Sequence, residues 1–152
     1  MPRGSRALPP ACVAHCQNAD AILHCGDFMH AVILDQFEAY GPPVYAVYGN
    51  VDEPAVRHRV PERRTVTLDG VRIGMVHDPG SSLGRIDRLH AWFPDAQAVL
   101  FGHTHQPQHD TAPDSFQIFN PGSPTERRRA PAHTMGLAQV ADGRITFELV
   151  TL

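Results

Sequence analysis

At four places in this sequence, an apolar run with strand character ends at a side chain able to hold a metal ion. Residues 21–25 (AILHC) lead through Gly26 to Asp27, and residues 44–48 (VYAVY) lead through Gly49 to Asn50. Residues 98–101 (AVLF) lead through Gly102 to His103, and the alternating Val71, Ile73 and Met75 run on to His77 without a glycine. His105 follows in the tight sequence Gly102-His103-Thr104-His105. In an extended segment, residues two apart share a side, so His103 and His105 are expected on one face. A carboxylate, an amide oxygen and imidazoles together suit manganese, iron or zinc better than calcium or copper. A carboxylate can bridge two ions, and a pair of ions can hold an attacking hydroxide and offset the charge on a phosphoryl group. Taken singly, none of these residues says much. An aspartate at a strand end is usually a turn former, and a lone histidine is usually a surface or satisfied core group. The argument rests on their conjunction.

For these side chains to meet, the apolar runs must be strands whose carboxyl ends share one rim, the place where open α/β sheets bind ligands. Glycine at the turn allows a sharp bend and a close approach. The rest of the chain fits that plan. Residues 8–18 read as a short helix opened by Pro9 and Pro10, and residues 31–40 carry apolar positions at helical spacing up to Gly41. A short helix is expected around 54–59 and another over 83–92. Asp69-Gly70 and Asp142-Gly143 each sit between alternating apolar segments, the signature of a β-hairpin. Residues 116–119 form a further strand leading into Asn120-Pro121-Gly122. Strand and helix alternate first and strands dominate later. The expected class is α/β, an α+β sandwich of two packed mixed sheets flanked by helices, in one domain over residues 1–152.

The totals agree with a single globular core: 152 residues, 42% of them hydrophobic. No apolar run is long enough to span a bilayer and no signal peptide is visible, so a cytoplasmic protein with no membrane partner is expected. The formal net charge of −3 argues against bulk nucleic-acid binding and weakens a nuclease reading. Cys12, Cys16 and Cys25 lack paired spacing and read as idle thiols. The basic runs Arg57-His58-Arg59, Arg63-Arg64 and Arg127-Arg128-Arg129 read as solvated surface, with phosphate contact near the metal rim as the functional alternative for the last. His24 reads either as support for a ligand or as a packed strand residue. Trp92 reads as core.

At the stretches His24-Cys25-Gly26-Asp27, Gly49-Asn50-Val51-Asp52, Val76-His77, Gly102-His103-Thr104-His105 and Asn120-Pro121-Gly122-Ser123, the sequence resembles the calcineurin-like metallophosphoesterases, in particular their small bacterial and archaeal phosphodiesterases. The resemblance implies a four-layer β-sandwich flanked by helices that hydrolyses phosphodiesters of small molecules with a metal-activated hydroxide. It implies Asp27 as the bridge between two metals, with Asn50, His77 and His103 completing one centre and His105 belonging to the other. Asp27, Asn50 and His103 are then the catalytic core, and Asn50 also touches phosphate. Manganese is the expected ion, with zinc, iron or nickel as substitutes.

Two departures bear on this. Relatives open with a strand ending in Asp-x-His, whereas this chain begins Met1-Pro2-Arg3-Gly4, which looks like the loop after that strand. Met1 is therefore expected to be an internal methionine, or the chain a truncated one. One strong metal site and one weak or empty site are expected, with open strand edges that favour a homodimer. Where many relatives carry a histidine that protonates the leaving oxygen, this chain has Val51. Asp52 is then either a substitute acid or a structural group, and substrates with good leaving groups are favoured. The rival reading is an impaired relative that keeps the fold as a binding or interaction scaffold.

Overall fold

A computed structural model describes residues 7–152, so the expectation placed on Met1 and the residues beside it lies outside the described residues. The chain runs α1 (Pro10–Asn18), β1 (Ile22–His24), α2 (Ala31–Glu38), β2 (Val44–Ala46), α3 (Pro54–Arg57), β3 (Arg63–Leu68), β4 (Val71–Val76), α4 (Arg85–Trp92), β5 (Ala98–Phe101), β6 (Gln108–Thr111), β7 (Gln117–Asn120), β8 (Thr134–Ala141) and β9 (Arg144–Thr151). Each element read from the sequence is present, most with trimmed ends. The strand not foreseen is β6 (QHDT), which has no apolar alternation because it is an exposed edge strand held only by antiparallel pairing with β7. Among the described residues, no helix is long and apolar enough to cross a membrane.

The larger sheet has the order β3-β4-β5-β7-β6 and is mixed. Strands β4, β5 and β7 run parallel at its centre, and β3 and β6 run antiparallel at its edges. Its central strand β5 (AVLF) is buried throughout and reads as an unbroken apolar run, as parallel strands do, while β4 is interrupted by the exposed Arg72. One face packs on α4 through Leu89, Phe93, Val99, Phe101 and Ile118. The other packs against a second layer through Ile73, Met75, Leu100 and Phe119. That second layer consists of the parallel pair β1-β2 and the hairpin β8-β9. The helices α1 and α2 cover it from outside through Cys12, Cys16, Leu34 and Phe37. Helices, two strand layers and a helix thus give the four layers expected.

Among the described residues, β1 pairs only with β2 and β8 only with β9. Between the open edges of β1 and β8 lies a cavity of about 810 Å³. Its apolar walls are Cys12, Cys16 and Phe37 on the helix side and Ile73, Leu100 and Phe119 on the sheet side. Among the described residues, these two edges are unpaired.

Both hairpins turn as their sequences require. Asp69 and Gly70 have φ of 49° and 80°, and Asp142 and Gly143 have 52° and 70°. Two successive positive φ values match the right-handed twist of the flanking strands. Trp92 is only half-buried, because the Arg63 guanidinium lies over its ring at 3.8 Å instead of a second hydrophobic layer.

Leu89 is fully buried and pins α4 to the large sheet. Leu89→Ala is expected to cost roughly 2–5 kcal/mol in urea unfolding, by lost burial plus the cavity left behind. A loss below about 1 kcal/mol would show that α4 is not held by this contact.

Candidate active site

The sequence motifs fall where the two strand layers meet at one rim. Asp27 follows β1 and Asn50 follows β2, so the smaller layer supplies the oxygen donors. His77 follows β4 and His103 follows β5, so the larger sheet supplies the nitrogens. The four converge. His77 Nε2 lies 3.1 Å from Asn50 Oδ1, 3.3 Å from Asp27 Oδ1 and 3.3 Å from His103 Nδ1. His103 Nδ1 lies 3.0 Å from Asn50 Oδ1. Asp27 and His77 are buried, His103 is half-buried and Asn50 faces solvent.

His103 Nδ1–H can donate to Asn50 Oδ1, but the contacts of His77 Nε2 with the Asn50 and Asp27 oxygens set lone pair against lone pair. His77 Nδ1 lies 2.7 Å from the Cys25 carbonyl, which can only accept, so Nδ1 carries the ring proton. Nε2 then presents a lone pair toward the Asn50 and Asp27 oxygens, which also present lone pairs. With bonds of about 2.0–2.2 Å, neighbouring ligand atoms stand about 2.8–3.1 Å apart around an octahedral ion and about 3.3–3.6 Å apart around a tetrahedral one. The observed separations match those edges, so the donor set fits a divalent cation. Among the described residues, no three His, Cys, Asp or Glu side chains are grouped to hold a metal by themselves, so the fit depends on counting the Asn50 amide oxygen.

His105 is placed differently from the expectation. His103 and His105 both have left-handed backbone, with φ of 63° and 59°, so the Gly-His-Thr-His segment is a folded turn and not an extended one. The turn is closed by Thr104 N–H donating to the Gly102 carbonyl at 2.7 Å. His105 lines the same cavity as Asp27, His77 and His103. Its Nδ1–H donates to the Glu126 carbonyl at 2.6 Å, which leaves Nε2 free as a ligand. Asp27 is also left-handed, with φ of 63°. Three non-glycine residues in this sparsely populated region at one site mark strain that the surroundings must hold in place.

The surroundings that hold it are readable. Asp52 is buried, and its carboxylate accepts from three backbone amides: Asp27 at 3.1 Å, Met29 at 2.6 Å and Gly49 at 2.7 Å. It therefore braces the two oxygen-bearing turns, the structural one of the two readings the sequence allowed. Gly26 and Gly49 let those turns touch. A Cβ on Gly26 would sit 2.7 Å from the Gly49 nitrogen, and one on Gly49 would overlap the Asp27 carboxylate and lie 2.6 Å from its nitrogen. Asn120 braces the histidine turn: its Nδ2 donates to the Gly102 carbonyl at 2.9 Å and to Thr104 Oγ1 at 3.0 Å. His24 accepts the Gly26 N–H at 3.1 Å and stacks on Phe28 at 3.7 Å, so it both packs the strand and supports the Asp27 turn.

Arg57 was not expected here. It donates to the backbone carbonyls of Asp52, Gly49 and Asn50, so a residue read as solvated surface in fact clamps the Asn50 turn. Arg128 donates to the His103 carbonyl at 3.0 Å. Spacing along the chain did not mark either contact, since both are made to backbone carbonyls.

Burial holds His24 well below the usual histidine range and also lowers His77, where the Asp27 charge opposes it. Burial lowers His105 too, with a smaller contribution from the Arg128 charge. All three rings are thus neutral at pH 7, the form that binds metal.

A scan of family models matches residues 4–143 to the calcineurin-like phosphoesterase superfamily domain. A probable metallophosphoesterase of Methanothermobacter thermautotrophicus is 30% identical over 142 residues, which is 90% of this chain and 79% of that protein. A phosphodiesterase of Methanocaldococcus jannaschii is 22% identical over 117 residues, 70% of this chain and 68% of that one. Among solved structures, zinc-complexed Vps29 from Entamoeba histolytica superimposes with a TM-score of 0.75 over 99% of this chain and 93% of the other, at 20% identity, a likeness of fold. This chain belongs to the calcineurin-like phosphoesterase superfamily.

Two outcomes follow from the site. Asp52→Ala leaves three backbone amides without an acceptor, and unfolding by urea is expected to show a loss of at least about 2 kcal/mol. A loss below about 0.5 kcal/mol would remove Asp52 as the brace. The lowered histidines give a pH dependence. Below about pH 6.5 the unfolded chain takes up protons before the folded one, so stability is full above that value and falls as pH drops toward the folded-state values. Chelator-treated protein is expected to melt progressively lower between about pH 7 and pH 5.5, and a flat or rising midpoint would contradict neutral buried rings.

Proposed function

We propose that this chain hydrolyses phosphodiesters of small molecules with the help of a bound divalent ion, manganese in the first instance. The observation that carries the reading is the convergence of metal-capable atoms of Asp27, Asn50, His77 and His103 at 3.0–3.3 Å. Those four side chains would hold one ion firmly. Asp27 and His105 alone would offer a second ion two ligands, a weak position. When bound, the ion would supply Lewis-acid stabilisation of phosphoryl charge and a lowered pKa for attacking water.

The chain's own residues do the rest. The Cys25 carbonyl and the Glu126 carbonyl fix the tautomers of His77 and His105. Asn50, exposed at the rim, is placed to donate its amide N–H to a phosphoryl oxygen while its Oδ1 faces the histidines. Val51 stands beside it, where a side-chain acid would be needed, and the Asp52 carboxylate is engaged by backbone amides. No acid on these two residues assists the leaving group, which favours esters of acidic alcohols. The family membership and the phosphodiesterase relative support a phosphodiester substrate.

Hydrolysis of bis(p-nitrophenyl) phosphate with and without added manganese tests this. Metal-dependent turnover is expected, and Asp27→Ala should reduce it at least about 10³-fold. A nitrophenyl ester is expected to outpace a methyl ester by at least about 10²-fold, given the missing acid at Val51. Absence of metal-dependent turnover in the chain would overturn the enzymatic reading and leave the fold as a binding scaffold.

A further inference from the structure

The cations around the rim are mostly spent. Arg57 gives its donors to three carbonyls and lies over the Tyr48 ring at 5.0 Å. Arg59 is paired with Asp35 and Glu38. Arg85 and Arg88 hold the carbonyls of residues 79–83 and the Gln108 side chain. Arg127 donates to the Ala130 carbonyl.

Among the described residues, Arg128 and its neighbour Arg129 are not spent in this way, and of the two it is Arg128 that reaches the ligand-bearing segment. One N–H goes to the His103 carbonyl, and among the described residues no carboxylate pairs with it. A guanidinium carries five N–H donors in a planar fork, so four remain. The residue is exposed, yet its backbone is fixed. Its φ is 48°, a left-handed value that arginine does not adopt freely. The loop around it is pinned by Ser123 Oγ, which accepts from the amides of Thr125 and Glu126, and by the Ala130 amide donating to the Arg127 carbonyl at 2.8 Å. The same loop presents the Glu126 carbonyl to His105. A strained, over-determined loop thus holds a free cation next to two of the candidate ligand histidines.

We propose that Arg128 is the phosphate-gripping residue of this site, its free guanidinium edge receiving non-bridging oxygens of the substrate's phosphoryl group. The inference rests on the phosphoesterase reading above. It identifies the recognised group as an anionic phosphoryl with two free oxygens, the shape that a guanidinium fork binds bidentately and an ammonium does not.

The experiment compares Arg128→Ala and Arg128→Lys with Arg129→Ala, which removes the same charge from the next position. Three quantities are read: kinetics with bis(p-nitrophenyl) phosphate and manganese, calorimetric affinity for inorganic phosphate, and affinity for manganese alone. Arg128→Ala is expected to raise KM and weaken phosphate binding by roughly 10-fold or more, with kcat changed far less. Lysine should recover only part of the loss, Arg129→Ala should behave as wild type, and manganese affinity should be unchanged. Equal losses in Arg128→Ala and Arg129→Ala would reduce the effect to general charge and overturn the assignment. A fall in manganese affinity matching the fall in phosphate affinity would make Arg128 a brace for His103 and overturn it too. Unchanged phosphate affinity in Arg128→Ala, with turnover intact in the wild type, would sink this inference alone. A wild type that neither turns over nor binds phosphate would sink it together with the function on which it rests.

Discussion

The Asp52 carboxylate ties the turn after β1 to the turn after β2, and the site depends on that tie. Its acceptors gather the amides of Asp27, Met29 and Gly49 at 2.6–3.1 Å. Asp27 and Met29 both have positive φ, a conformation that costs free energy at non-glycine residues unless the surroundings impose it. Charge-assisted bonds to a buried carboxylate are among the stronger ones available for this purpose. The two glycines let the turns come close enough for one carboxylate to serve both.

The two strand layers divide the chemistry. Oxygen donors arrive from the smaller layer and imidazoles from the larger sheet, so the cluster exists only where the layers are packed. Phe119, Leu100 and Ile73 therefore matter to the site, because they pack between the layers and help set their separation. The histidine side is braced in its own way. Asn120 reaches across to the Gly102 carbonyl and Thr104, and the loop after it supplies carbonyl and guanidinium contacts to the turn. The smaller layer is the looser half. Among the described residues, it is built from two pairs of strands with a cavity between them, which touches the same rim.

Such a site needs little reorganisation to hold a cation. His77 already has its proton on the nitrogen turned away from the cluster, and burial keeps the ring neutral. Preorganised neutral imidazoles and a fixed carboxylate avoid the cost of releasing protons and ordering side chains when an ion arrives.

The sequence by itself determined the strand ends, the glycines and the identity of the donors, because periodicity and glycine placement are local signals. It also determined both hairpins, whose Asp-Gly turns act within a few residues. Tertiary structure decided the rest. The left-handed turn at His103 and His105 was not legible, since two histidines around a threonine fit an extended segment equally well until Asn120 and Glu126 fold over them. The edge strand β6 escaped because pairing with β7, not its own pattern, makes it a strand. The contacts of Asp52, Arg57 and Arg128 were likewise decided only by packing. Their partners are mostly backbone amides and carbonyls, which every residue carries and no sequence pattern marks.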